Sequence, residues 1–462
     1  MGAERALANV GAACANNSNH KKRLEETMAA SPISARMRRM QWIAIGLATA
    51  AIALNYLDRS TLAIGNVKIR EEFGINATAI GALQSAWSIT YAFAQVPIGY
   101  FLDRLGPRWL VGVALILWSI AQAAGGFAVS YVQLLWARVA LGAAECPAFP
   151  AAVRVTSDWF HIKDRGRPTG VYNSGGSIGP FIAPPLLTGL MLAFGWRAMF
   201  VTMGVVGVLG ALVWFWLYRD PATAPLEPQD QAYLAANRAG EGKVEARNWG
   251  RLFRFQSMWG LMLGAFCTGY AVWMYQTWLP AYLEMQQHIS IAKTGFVASI
   301  PLFCSILGAW SGGWFTDRLS ARGMDLVASR RLPSIIGLLL SGLFTVIATT
   351  AAGPTQAIVY ISLAMFFLSL GIAGKWTLIT AVAPQSYCTS VASIQNFGGY
   401  IGGTVSPIVT GFVVDMTGSF VIALAIGAAI TILGAGLLQV LVRSQITSAD
   451  LEGGVAAVVP AQ

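Results

Sequence analysis

Gly99-Tyr100-Phe101-Leu102-Asp103-Arg104-Leu105-Gly106-Pro107-Arg108 follows the second apolar segment of the chain, and Gly313-Trp314-Phe315-Thr316-Asp317-Arg318 follows the eighth. Two copies of one polar stop at corresponding positions are what a duplicated helical unit leaves behind. The apolar segments fall at about 41–64, 79–102, 107–128, 131–153, 168–194, 197–218, 257–284, 293–316, 332–352, 355–383, 391–414 and 418–442. Each is close to the roughly 20 residues that cross a bilayer, and the long segments 168–194 and 355–383 must tilt, bend or protrude. The polar stretch 219–256, with Pro221, Pro225 and Pro228, divides the segments six and six and reads as a connector. The expected fold is an all-α membrane protein of 12 transmembrane helices in two pseudo-symmetric halves, 41–218 and 257–442, with tails at 1–40 and 443–462.

Composition demands the same environment. Hydrophobic residues make up 55% of the chain and charged residues 11%, against roughly 25% charged in soluble domains. The 16 Trp and 49 Gly suit a bilayer, where Trp prefers the interfaces and Gly lets helices approach. The net charge of +10 lies in separate short loops and not on one stripe, so a membrane surface is expected as its partner and nucleic acid is not. Cys14, Cys146, Cys267, Cys304 and Cys388 have neither disulfide nor metal spacing, so no metal is expected.

Orientation follows from Lys and Arg. Lys21, Lys22, Arg23, Arg36, Arg38 and Arg39, then Arg104 and Arg108, Lys163, Arg165 and Arg167, the connector, and Arg318, Arg322, Arg330 and Arg331 all fall on one side. The positive-inside rule makes that side cytoplasmic and places both termini there. No apolar core precedes the N-terminal basic residues, so 1–40 reads as a disordered tail and not a cleavable signal. The expected location is the inner membrane.

Four charged residues break this pattern by lying inside apolar segments: Asp58, Arg59, Arg138 and Glu145. Charge in hydrocarbon is costly and marks candidate function; the competing reading is that some of the four snorkel from helix ends. Arg138 and Glu145 are seven residues apart, nearly two turns, and so share a helix face. Pro147 and Pro150 loosen that helix just beyond. Asp58 and Arg59 are adjacent and point in different directions, so pairing across helices, such as Asp58 with Arg138, is expected. Burial and a nearby arginine pull a carboxylate's proton affinity in opposite directions, so exchanging its partner for a substrate anion links proton and anion binding. Arg59 is assigned to the substrate carboxylate, which guanidinium grips bidentately, and Arg138 to the proton-carrying acids. Tyr91, Tyr172, Asn173, Ser174, Gln276, Trp376 and Asn396 are the candidate pocket residues, each equally readable as an interhelical hydrogen bond or a packing aromatic.

Gly99, Asp103, Arg104, Gly106 and Arg108, with Asp317 and Arg318 as a weaker copy, resemble the inter-helix loops of the major facilitator superfamily. That resemblance implies a charge and helix-dipole latch favouring the outward-open state. In it Gly99 permits tight packing, Asp103 faces a helix N-terminus and the arginines pair with carboxylates. Asn55-Tyr56-Leu57-Asp58-Arg59-Ser60 and Arg138 to Pro150 resemble, more closely, the anion:cation symporter branch, which includes bacterial galactonate, glucarate and hexuronate transporters. This likeness covers about 41–442 and implies inward proton symport of an organic anion, with protons carried at Asp58 and Glu145. It also implies that Arg59, Tyr91, Trp376 and Asn396 line the substrate site, that the proton is the coupling ion with no cofactor, and that the protein works as a monomer.

Two positions depart from the galactonate pattern. Gly176 stands where those transporters have a substrate-contacting glutamine. Lys375 adds a cation beside Trp376 where they have an uncharged residue. A Lys375 facing the cavity favours a dicarboxylate or aromatic acid; the other reading is that it snorkels or pairs with an ordinary acid. Other classes fit less well. The six-plus-six plan offers no ring of charges for a channel, and no G-x-x-x-x-G-K-[ST] loop serves a pump. Three His without a nucleophile partner give no reason to expect an enzyme. A transporter-like sensor is the remaining alternative.

Overall fold

The computed structural model describes residues 33–161, 164–221, 223–238, 246–383 and 387–446; the side chains of Val96, Asp103, Ala235 to Trp249, Cys388 and Thr389 lie outside that description. Helix α1 spans Ala35–Phe73, starting on Ser34, whose hydroxyl accepts from the Met37 amide, and stopping at Gly74 with φ 63°. A serine cap and a left-handed glycine are the usual physical means of satisfying orphan groups at helix ends. Helix α2 (Ala77–Gly126) contains non-helical Gly106, with φ 71° and ψ 162°. Helices α3 (Tyr131–Glu145) and α4 (Ala148–Trp159) are separated by Cys146 and Pro147. Helix α5 (Gly166–Leu217) contains Gly195 at φ 84°. Its 52 residues would be about 78 Å long if straight, far more than the ~30 Å hydrocarbon core. The glycine, free to adopt positive φ, divides it into two arms.

The connector holds a short helix α6 (Pro228–Arg238) and a 3-10 segment at Ala246–Arg254. Beyond it run α7 (Gln256–Met285), α8 (Ile291–Val297), α9 (Ser299–Ala321), α10 (Leu326–Ala348), α11 (Pro354–Val382), α12 (Cys388–Thr417) and α13 (Val421–Leu441). Among the described residues, eight helical stretches are long and apolar enough to cross a membrane. The expected segments 79–102 and 107–128 share α2, 168–194 and 197–218 share α5, 131–153 is split between α3 and α4, and 293–316 between α8 and α9.

Asp230 of α6 accepts from the Ser34 amide and hydroxyl at 2.9 and 2.7 Å. Tyr233 donates to Asp164 at 2.8 Å and accepts from the His161 amide at 2.9 Å. The connector is thereby fastened to the N-terminal half. Burial pushes the Tyr233 hydroxyl up to about 12. Helix α1 begins at Ala35, inside the stretch expected as a tail over 1–40; residues 1–32 and 447–462 lie outside the described residues. Ile446 is buried and its amide bonds the Val382 carbonyl, so the start of the expected tail 443–462 packs on α11.

The halves meet along α2 and α12. Asp415 accepts from the Ala77 amide at 2.8 Å and from the Thr78 amide and hydroxyl at 2.7 and 2.5 Å. Further along, Ser85 donates to the Thr404 carbonyl at 2.5 Å and Ser88 to that of Tyr400 at 3.4 Å. A Cβ at Gly81 would strike the Pro407 carbonyl, so glycine is what lets these helices touch. One apolar cluster lies in the N-terminal half and takes in Trp273 from the other; a second runs from Leu62 to Ile446 and joins the two.

Candidate functional site

The adjacency of Asp58 and Arg59 turns their side chains about 100° apart, and it is Arg59 that reaches α3. Its Nε lies 3.1 Å from Glu145 Oε2, with both side chains essentially sealed from solvent. The Trp87 indole donates to the same oxygen at 3.0 Å. A Cβ at Gly142 would strike the Trp87 carbonyl, so this glycine lets α3 approach α2 closely enough for that bond. Asn55 Nδ2 donates to the Glu145 carbonyl at 3.4 Å, where α3 ends and leaves its last carbonyls exposed. The Arg59 guanidinium lies 4.7, 4.3 and 4.9 Å from the ring centroids of Tyr56, Trp87 and Tyr91. Such faces attract a cation, more so away from water.

These rings continue across the junction of the halves. Trp87 and Trp273 have centroids 5.1 Å apart, and Tyr91 and Tyr400 4.8 Å. Arg138, 1% exposed, donates from Nη2 to Gln84 Oε1 at 3.1 Å. Asp58, also 1% exposed, is close enough to feel the charges of Glu145, Arg138 and Arg59, but its Oδ1 accepts no hydrogen bond from the protein. All four charges are therefore buried together, which removes the snorkelling reading for them. The expected pairing differs: Arg59 holds Glu145, whereas Arg138 holds an uncharged amide and not Asp58. Deleting one partner of a buried ion pair strands the other charge, typically at ~3–5 kcal/mol, while an apolar replacement of both is often neutral. A pair of this kind is poorly explained by stability alone.

Of the other predicted pocket residues, Tyr91 lies in this cluster. Tyr172 is buried on α5, while Asn173 and Ser174 bond carbonyls of their own helix, Thr169 at 2.9 Å and Val171 at 2.6 Å. Gln276 on α7 and Asn396 on α12 are half-buried, and Trp376 is 46% exposed. Lys375 is 7% exposed and donates to Thr268 Oγ1 at 2.6 Å, joining α11 to α7. Among the described residues, no hydrogen bond or ring contact joins these seven to the Arg59 cluster. Sequence reasoning passed over Gln84, Trp87, Tyr56, Trp273 and Tyr400. Gln84 and Tyr91 show the same seven-residue spacing as Arg138 and Glu145, with Trp87 between them, and that spacing was the available signal.

At the connector end, Gly106 forms the turn within α2 and packs beside Asp220, a Cβ there meeting Oδ2 at 3.5 Å. Burial pushes the Asp220 carboxyl up, opposed by the Arg108 backbone. Arg108 donates to the Phe215 carbonyl at 3.4 Å, and Arg104 lies over the Tyr100 ring at 4.7 Å. Tight packing at Gly99 is not found, because a Cβ there would meet nothing within 4 Å. Asp317 and Arg318 are exposed, and the Asp103 side chain is outside the described residues.

A two-halved helical bundle with a buried charge cluster at its junction is the framework of a membrane transporter. The chain belongs to the Major Facilitator Superfamily, whose sequence profile matches residues 48–328. It is 40% identical over 420 residues to a probable L-galactonate transporter of Escherichia coli (strain K12), covering 89% of this chain and 92% of that one. It is 30% identical to a D-galactonate transporter of Escherichia coli O6:H1 (strain CFT073), covering 87% and 95%. In fold it is similar to a bacterial homolog of the human lysosomal transporter Spinster, in an inward-facing and unoccupied conformation. The TM-score is 0.71, with 20% identity and 87% and 95% of the chains covered. The resemblance to anion transporters of this superfamily stands.

Proposed function

We propose that this protein imports an organic anion, a sugar acid or related carboxylate, by proton symport with alternating access. The observation that carries the reading is the buried Arg59–Glu145 pair, 3.1 Å apart at the junction of the two halves. Glu145 and a substrate carboxylate compete for one guanidinium. A proton arriving on Glu145 weakens its hold on Arg59, freeing the fork for the substrate, so proton and anion favour each other's binding. Asp58 is the second proton carrier, and Arg138 weights the charge balance of both acids. The likeness to galactonate transporters supports a sugar acid.

In this reading twelve helical crossings carry the cycle, both termini are cytoplasmic and the protein resides in the inner membrane, as the basic loops favour. The latch residues Asp103, Arg104, Gly106, Arg108, Asp317 and Arg318 act at the cytoplasmic face, without the close packing expected at Gly99. The inter-half contact at Asp415 then closes the outer side. An aromatic acid or a dicarboxylate is the second substrate class. Three rings surround Arg59, and a side chain at Gly176 would meet Tyr56 at 3.3 Å, so aromatic surface occupies the space a longer polar residue would use. Lys375 is the proposed anchor for a second carboxylate, with Tyr172, Asn173, Ser174, Gln276, Trp376 and Asn396 completing the pocket.

A thermal-shift screen of sugar acids, aliphatic diacids and aromatic acids identifies the ligand, because binding to the folded state raises its apparent stability. Uptake of that ligand into proteoliposomes then tests the function. Accumulation driven by an acidic exterior is expected; binding without flux would make the protein a sensor and overturn the transport reading.

A further inference from the structure

Arg138 sits in a cluster with two acids, yet its one protein hydrogen bond goes to a neutral side chain. Its Nη2 donates to Gln84 Oε1 at 3.1 Å, while Nε and Nη1 have no protein partner. Gln84 is 3% exposed and lies one turn before Trp87 on α2. That helix therefore fixes both charges of α3, Arg138 through Gln84 and Glu145 through Trp87, across the close approach allowed by Gly142. Among the described residues, the charged groups acting on Asp58 are Glu145 and Arg138 from α3 and Arg59 from α1. Arg59 is committed to Glu145. Arg138 is then the cation left to quench Asp58 directly, and a bidentate arginine pair is the strongest such contact available.

We propose that Gln84 is a positioning residue for proton coupling: it holds Arg138 against α2, apart from the Asp58 carboxylate, so that Asp58 remains able to exchange its proton. The Gln84 amide oxygen does this by accepting from the guanidinium Nη2. A carboxylate at the same place would hold Arg138 too, whereas an apolar residue of similar size would release it. This inference rests on the proton-symport reading, and the two fail differently.

The test compares wild type, Gln84→Leu and Gln84→Glu in proteoliposomes, using the acid selected by thermal shift. Acid-driven accumulation and substrate counterflow at equal pH are both measured. Gln84→Leu is expected to lose about tenfold in accumulation, the weight of one charge-assisted hydrogen bond, while counterflow persists; Gln84→Glu is expected to retain both. Gln84→Leu accumulating like wild type, or both variants losing accumulation and counterflow together, overturns the positioning role. A wild-type protein that exchanges substrate but ignores the pH gradient overturns the symport reading instead.

Discussion

Replacing Asp415 by alanine removes the carboxylate that joins the C-terminal half to the start of α2. It accepts three hydrogen bonds, from the amides of Ala77 and Thr78 at 2.8 and 2.7 Å and from the Thr78 hydroxyl at 2.5 Å. The two amides are first-turn donors with no partner inside their own helix, and a negative charge there also meets the favourable end of the helix dipole. Asp415 itself is exposed, and its donors can turn to water once the halves part, so each bond counts near the low end of its range. About 1.5 kcal/mol in total is a reasonable sum, which moves the equilibrium about tenfold toward separation at this end. The shift is read as a distance distribution between spin labels at Phe127→Cys and Met416→Cys, both exposed, in a background lacking the native cysteines. Asp415→Ala should enlarge the long-distance population, and Thr78→Val should do so to a smaller extent. An unchanged distribution in Asp415→Ala would refute the gate.

Two further outcomes concern the site. Arg59→Lys should weaken substrate affinity about tenfold or more, because an ammonium cannot reproduce the guanidinium fork or its contact with three rings; calorimetry showing unaltered affinity would remove Arg59 from anion binding. Lys375→Ala should reduce uptake of diacids more than monoacids, and equal losses in a competition assay would rule out a second carboxylate site there.

Much of the architecture was legible because breaks in helices are chemical. Pro147, whose missing N–H removes one ladder bond, lies between α3 and α4, although Pro180, Pro184 and Pro185 sit inside α5 without ending it; Gly106 and Gly195 bend where positive φ is needed. The four buried charges were legible for a different reason: each stands alone in an apolar run. Their partners were not. Sequence spacing gives the angle between Asp58 and Arg59 on one helix but not the rotation of that helix against α3, and the rotation decides that Arg59 and not Asp58 meets its opposite charge. Trp87 and Gln84 were passed over although Gln84, Ser85, Ser88 and Tyr91 recur at helical spacing and are all buried, because a neutral polar stripe in an apolar helix reads equally well as interhelical packing. Lys375 shows the same limit, since nothing local announces Thr268, 107 positions away.

The central claim is that a proton on Glu145 releases Arg59 to bind the substrate anion, so that proton and anion enter together. Its most direct measurement is substrate-driven proton entry into proteoliposomes holding a pH-sensitive dye, for wild type and Glu145→Gln. The wild-type protein should acidify the lumen on addition of substrate, and Glu145→Gln should not, while still exchanging labelled substrate. Transport by wild type without acidification, or acidification by Glu145→Gln at the wild-type rate, would contradict the account.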